Sequence, residues 1–231
     1  MEYIEKNLAD VEQKIIETAQ NCGREPQSVR LIAVTKTYGV DAINRAIDAG
    51  VTDIGENRVQ EIMEKYNDVK PVTWHLIGHL QKNKVKYIID KVELIHSVDS
   101  FELAKEIDKQ AKKHNKVQRI LLEVNVSGEK SKFGMNPEDC IENCRRIAEL
   151  DNVKIEGLMT IAPFVEEKEI LEGVFNGLKD LACEIAKEQI ETVSMTELSM
   201  GMTNDFPIAI ENGSTMVRVG TGIFGKRDYS K

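Results

Sequence analysis

Lys36 is the first residue with reactive potential. It closes Leu31-Ile32-Ala33-Val34-Thr35-Lys36, where five mostly apolar residues lead directly into an ammonium group. Burial at such a place lowers an amine's pKa, because desolvation disfavours the charged form. A neutral amine is what Schiff-base chemistry requires. The plain alternative is a lysine leaving the fold for solvent. Two glycine turns near the other end of the chain bear on that choice: Ser199-Met200-Gly201-Met202-Thr203-Asn204-Asp205 and Arg218-Val219-Gly220-Thr221-Gly222. Each brings backbone N–H groups and a hydroxyl, from Ser199 or Thr221, to where a phosphate can be held. Either turn alone reads equally well as a tight turn. Two of them with Lys36 form a constellation, an amine facing an anion site.

Other candidates keep two readings each. Asn57, in Gly55-Glu56-Asn57, either hydrogen-bonds a ligand or caps a helix starting at Arg58. His75 alternates into an apolar segment and reads as a satisfied structural histidine, whereas His79 lies beyond that segment with access to a ligand. Neither has metal-ligand company, so no metal site is expected. Ser127–Gly134 is glycine-bounded and lysine-rich, either a solvated loop or a lid presenting Lys130 or Lys132 to an anion. Cys22, Cys140, Cys144 and Cys183 read as free thiols, with Cys140 and Cys144 at helical i, i+4 spacing.

The elements that must position these residues alternate in kind. Short apolar runs cover 31–36, 53–55, 73–78, 93–98, 119–126, 154–161, 196–200 and 216–219. Near-continuous apolarity suits strands buried on both faces of a parallel sheet. Between them lie segments of helical period. Ile4, Leu8, Val11, Ile15 and Ala19 form a stripe ahead of the first strand. Val40–Ala49 ends at Gly50, Ser100 caps Phe101–His114, Asn136-Pro137 opens a helix, and 166–189 is the longest helical candidate. Strands alternating with helices give an α/β fold, either a closed barrel or an open doubly wound sheet. Eight units in this length fit a single (β/α)8 TIM-type barrel with an extra N-terminal helix, and no G-x-G-x-x-G follows the first strand. In such a barrel the strands' C-terminal ends carry the chemistry. Loops after strands seven and eight are its recurrent phosphate site.

The 231 residues suit one barrel domain over 1–231. A net charge of -8, from 39 acidic and 31 basic residues, draws in neither nucleic acid nor an anionic membrane. The acidic amphipathic start, MEYIEKNLADVEQK, is not a signal peptide, and a cytoplasmic protein is expected.

Six separated motifs, in order, carry a resemblance over essentially the whole chain: AVTKTY at Lys36, GENRVQE from Gly55, WHLIGHLQKNK from Trp74, GLMTIAP from Gly157, ELSMGMTNDF from Glu197 and VRVGTGIFG from Val217. The chain resembles the pyridoxal 5′-phosphate (PLP) homeostasis protein family. The resemblance implies a barrel similar to the N-terminal domain of alanine racemase. It implies PLP as cofactor, bound as a Schiff base to Lys36. Ser199, Gly201, Gly220 and Thr221 would hold the phosphate, Arg218 would face the pyridine nitrogen, and Asn57 would lie beside the ring. Lys132 matches a family lysine linked to a second PLP or to release, while His79 inherits no role.

A protonated arginine on the pyridine nitrogen leaves the ring a poorer electron sink. Arg218 could instead belong to a salt bridge inside the barrel. Racemases of this fold take a second base from a separate domain, and here the sequence ends six residues after Gly225. The expectation is therefore a monomeric PLP carrier with no established catalysis, meeting apo-enzymes transiently. A small PLP enzyme such as an amino-acid racemase is the alternative, and a Schiff-base aldolase without PLP is a third class.

Overall fold

A computed structural model describes residues 3–129 and 132–225. Eight parallel strands pair in chain order, and the eighth closes on the first. They are β1 (Arg30–Val34), β2 (Asp53–Glu56), β3 (Thr73–Leu76), β4 (Leu94–Val98), β5 (Gln118–Glu123), β6 (Val153–Met159), β7 (Val193–Met202) and β8 (Met216–Val219). The helices are α1 (Tyr3–Asn21), α2 (Val40–Asp48), α3 (Val59–Lys65), α4 (Phe101–Lys113), α5 (Cys140–Ala148), α6 (Lys168–Lys187), α7 (Phe206–Glu211) and α8 (Thr221–Phe224). The closed barrel, rather than the open sheet, is the observed solution.

The apolar stripe of α1 explains its place. Ile4, Leu8, Val11, Ile15 and Ala19 are all buried, and the helix packs on α2, α7 and α8. With α8 only four residues long, α1 covers the barrel wall beside it. Asn7 Nδ2 donates to Ile223 O at 3.1 Å and ties the two helices together. Ser100 accepts from Leu103 N and caps α4 as expected.

Several boundaries differ from the sequence reading. β1 ends at Val34, so Lys36 sits in the loop beyond it. β7 starts at Val193, where half-exposed residues pair with β6 and leave no apolar run to read. Pro137 opens a 3₁₀ turn (Pro137–Asp139), and α5 begins only at Cys140. Asn136 spends its side chain on Asp139 Oδ2 at 3.2 Å instead of capping. β3 and β4 are joined through a 3₁₀ segment, Lys82–Tyr87. α6 is two residues shorter at each end than the 166–189 reading.

Two apolar clusters build the core. The larger lies between sheet and helices. The smaller holds Ile32, Leu94, Leu121, Met159 and Met216, residues from five strands that meet inside the barrel. By strand alternation, the residues two positions on from three of these, His96, Glu123 and Arg218, also face the interior. Thus a polar layer sits above an apolar one. Among the described residues no helix is long and apolar enough to cross a membrane, and no His, Cys, Asp and Glu group could hold a metal ion. All four cysteines are free. Burial pushes the Cys140 and Cys144 thiols up to about 12, which leaves them inert.

Gly157 is the tightest point of the sheet. A Cβ there would lie 1.7 Å from Glu197 O on β7, beside the register shift between Ile155 and Gly157. Gly157→Ala is expected to cost about 3 kcal/mol or more, or to abolish soluble folding, as read by urea denaturation.

Candidate functional site

The C-terminal ends of the strands open into a cavity of about 680 Å³. Lys36, Asn57, Glu123, Arg218, Gly220 and Thr221 all line it. Five of the seven residues expected at the site therefore share one space. Ser199 and Gly201 do not line it. A cleft of about 780 Å³ shares Asn57, Arg58 and His79 with it, but takes in none of Lys36, Arg218 and Gly220.

Lys36 is half-buried, on a loop gripped from both sides. Thr35 N donates to Gly55 O at 3.0 Å, and Thr35 O accepts from Lys65 Nζ at 3.1 Å. Beyond Lys36, Thr37 N donates to Glu61 Oε2 at 2.6 Å. Thr37 has φ +71°, a left-handed conformation that a β-branched residue resists, so the Glu61 bond has a strained backbone to hold. Lys65 Nζ also lies 2.8 Å from Glu56 Oε1 and 2.9 Å from Glu61 Oε2, and Thr35 Oγ1 donates to Glu56 Oε1 at 2.7 Å. Burial pushes the Glu56 carboxyl up to about 7, against the pull of Lys65. Burial works the same way on Glu61, but the bonds from Lys65 and the Thr37 amide outweigh it and hold Glu61 low. The i, i+4 spacing of Glu61 and Lys65 was visible in the sequence; that both reach back to the Lys36 loop was not.

Arg218 forms the floor. It is 3% exposed, and burial pushes its guanidinium down to about 10, still charged at neutral pH. Nη1 donates to Ser199 Oγ at 2.6 Å and Nη2 to Thr160 O at 2.9 Å. Among the described residues Arg218 makes hydrogen bonds and no salt bridge; its counter-charges are Asp205 and Glu123, at longer range. Glu123 is 5% exposed, and its Oε2 has no hydrogen-bond partner among the described residues. Burial, then the nearby Asp99 charge, push it up to about 7, with Arg218 pulling the other way. A carboxyl two residues after Leu121 on an inward-facing row was the signal for it.

The two turns build one side of the cavity. Thr203 Oγ1 accepts from Gly220 N and Gly222 N, each at 3.4 Å, and lies 3.3 Å from Thr221 Oγ1. Long bonds from three groups onto one oxygen mark a set of converging donors. Gly201 (φ +92°) lets β7 press on α7, where a Cβ would meet Ala209 Cβ at 2.5 Å. Its contribution is this close packing. Ser199 is fully buried, its hydroxyl engaged by Arg218 and by His96 Nδ1 at 2.8 Å, so it faces the barrel interior and not the mouth. Asn57 does not cap α3, since Arg58 occupies that position.

At the rim, His79 stacks on Phe133 with ring centroids 4.1 Å apart, and its Nδ1 lies 3.3 Å from Asp99 Oδ2. Lys132 pairs with Glu129 and donates to Ile161 O at 3.3 Å. Lys130 lies outside the described residues. His75 is buried and doubly bonded, as its structural reading requires.

Residues 7–228 match the family model described as alanine racemase, N-terminal domain. A protein named pyridoxal phosphate homeostasis protein in Aquifex aeolicus is 44% identical over 97% of this chain and 98% of its own length. The protein of the same name in Escherichia coli K12 is 37% identical over all of both. PipY of Synechococcus elongatus, solved with PLP bound, superposes with a TM-score of 0.83 at 35% identity, covering 96% of this chain and 100% of PipY. An alanine racemase of Clostridium difficile superposes with a TM-score of 0.75 at 16% identity, over 58% of its chain, and shares the fold.

Two carboxyls give measurable expectations. Folded Glu123 titrates at about 7 against an ordinary 4.5, so the folded chain binds more protons between those values. Its contribution to stability therefore falls as pH rises through that window. Glu123→Gln should match the parent at pH 4 and exceed it at pH 8 by on the order of 1–3 kcal/mol, read by thermal melts at both pH values. Lys65→Met strands Glu56 beside Glu61. It should cost about 3 kcal/mol at pH 8 and clearly less at pH 5, where Glu56 takes up a proton, as chemical denaturation at the two pH values would show.

Proposed function

The chain belongs to the pyridoxal phosphate homeostasis protein family, and from that premise we propose that it holds PLP on Lys36 as a Schiff base and delivers it to apo-enzymes. The observation that carries this reading is that an amine, a guanidinium and a turn of converging donors open onto one cavity. Its volume lies within the range of about 300–1,000 Å³ usual for small-molecule sites.

The residues present suit the cofactor. Gly220 and Thr221, with Thr203, offer the phosphate their amide and hydroxyl donors. The long bonds onto Thr203 are ones an anion can better. Ser199 and Gly201 support this set from behind, one through Arg218 and the other by seating β7 on α7. Lys36 Nζ supplies the nitrogen for the cofactor's aldehyde, and the clamp on Thr35 and Thr37 fixes the loop that bears it. Asn57 stands at the side of the ring, and Arg218 meets the pyridine nitrogen.

PLP, when bound, supplies an electron sink for reactions of amines. An arginine keeps its own proton and gives the pyridine nitrogen only a hydrogen bond, which weakens that sink. Such a site suits holding and releasing the cofactor better than driving carbanion chemistry. In this reading the protein works as a monomer in the cytoplasm and meets its recipients transiently.

The test is direct. PLP-loaded protein should show an absorbance band above 400 nm that borohydride removes, leaving the reduced adduct on Lys36; Lys36→Ala should show neither. The loaded protein should activate an apo-transaminase, and failure to do so would count against delivery. Robust alanine racemisation lost in Lys36→Ala would replace the carrier reading with an enzyme.

A further inference from the structure

A chain of hydrogen bonds crosses the barrel interior beneath the cavity. Asp53 Oδ1 lies 2.9 Å from His75 Nε2, and His75 Nδ1 lies 2.9 Å from His96 Nε2. His96 Nδ1 lies 2.8 Å from Ser199 Oγ, which lies 2.6 Å from Arg218 Nη1. The path runs from the first residue of β2 through β3 and β4, then across to β7 and β8. His75, His96 and Ser199 are wholly buried, and Asp53 and Arg218 nearly so. Hydrocarbon could fill this space, as it does one layer below. Polar groups in its place must each find a partner or lose the hydrogen bonds water gave them.

With both imidazoles neutral, the chemistry of the two ends sets the direction of every bond. A guanidinium only donates, so Ser199 Oγ accepts from Arg218. The Ser199 proton then goes to His96 Nδ1, which is bare. His96 carries its proton on Nε2 and donates to His75 Nδ1. His75 carries its own on Nε2 and donates to Asp53, a carboxylate. Thr52 Oγ1, donating to Asp53 Oδ2 at 2.7 Å, holds the carboxylate's other oxygen. Ser199, His96 and His75 are then each used once as donor and once as acceptor. Between neutral imidazoles, the reverse order would set a bare His75 Nε2 against the carboxylate, lone pair to lone pair. Burial, which keeps His96 neutral well below the ordinary histidine range, agrees with the assignment.

We propose that His96, backed by His75 and Asp53, is a positioning residue for Arg218: it fixes the Ser199 hydroxyl with its lone pair toward the guanidinium, and so fixes the donors Arg218 offers to the cavity. Ser199 Oγ and Thr160 O hold the two terminal nitrogens of Arg218, and two anchors fix the plane of the fork. With His96 removed, the Ser199 proton loses its acceptor, the hydroxyl turns, and one anchor is lost. The consequence for ligand binding rests on the PLP reading of the cavity; the proton order does not.

Imidazole ¹⁵N NMR of the PLP-free chain tests the order. His75 and His96 should both be Nε2–H tautomers, and a protonated Nδ1 on His96 would overturn the proposal. PLP titrations test the consequence. His96→Leu should weaken PLP binding about tenfold and shift the absorbance band, an effect the size of one lost hydrogen bond. His96→Gln, whose amide can donate to His75 and accept from Ser199, should stay within about threefold of the parent. Parental affinity and band in a folded His96→Leu would sink the idea. The NMR reading needs no variant, so a His96→Leu chain that fails to fold still leaves the proposal open to disproof. A parent chain that never binds PLP would instead overturn the cofactor reading, with the tautomers still deciding the proton order.

Discussion

A charged guanidinium inside a closed barrel is the constraint on which the upper half of this molecule turns. Taking such a group out of water costs several kcal/mol unless its donors are met and its charge is balanced. Among the described residues Arg218 meets both conditions without a direct ion pair. Ser199 and Thr160 accept its bonds, while Asp205 and Glu123 supply charge at longer range. Asp205 is tied in turn to the β7 turn, taking the Met202 amide at 2.5 Å. The two glycine turns, the buried serine and the histidine pair are thus one arrangement around one cation. The apolar layer of Ile32, Leu94, Leu121, Met159 and Met216 beneath it keeps water out from below.

A second polar knot, Glu56, Glu61 and Lys65, does for the amine what Ser199 does for the guanidinium. It acts on backbone instead of side chain. Lys65 and Glu61 take hold of the peptide groups flanking Lys36, which lines the cavity. Glu56 and Glu123 both titrate near 7, one under the loop and one in the cavity wall. Each is a buried carboxyl short of a full set of partners, since Glu56 Oε2 and Glu123 Oε2 both lack one among the described residues. The charge state of the mouth therefore changes near neutrality, where ordinary surface carboxylates have long been ionised.

What could be read in the chain beforehand follows from what local sequence encodes. Alternating apolar runs and helical stripes gave the eight-unit barrel, because strands buried on both faces and helices buried on one leave different periods. Ser100 and the stripe of α1 were legible for the same local reasons. The start of β7 was not, since Val193-Ser194-Met195-Thr196 is held by pairing to β6 and buries little. At the site, Lys36 and the Gly220 turn stood out by type and position. A hydroxyl beside a glycine turn suggests an anion donor, but strand alternation sends Ser199 inward, onto Arg218 and His96. His96 and Asp53 carry no such signal, because their partners lie on other strands, and those of Thr203 lie in the turn after β8, at separations no spacing rule covers.

The tie between α1 and α8 has a consequence for how the chain comes to be folded. The stripe of α1 is completed by α7 and α8, which are made only after seven of the eight strands. During synthesis that apolar face must wait, through nearly the whole chain, for its cover. Contacts between the two ends close the largest loop in the molecule, and such closures are slow and leave apolar surface open meanwhile. α1 is made ahead of every strand of the barrel, yet its seat is complete only once β8 and α8 follow. As α8 opens at Thr221, which lines the cavity, the seating of α1 on α8 also completes the cavity wall.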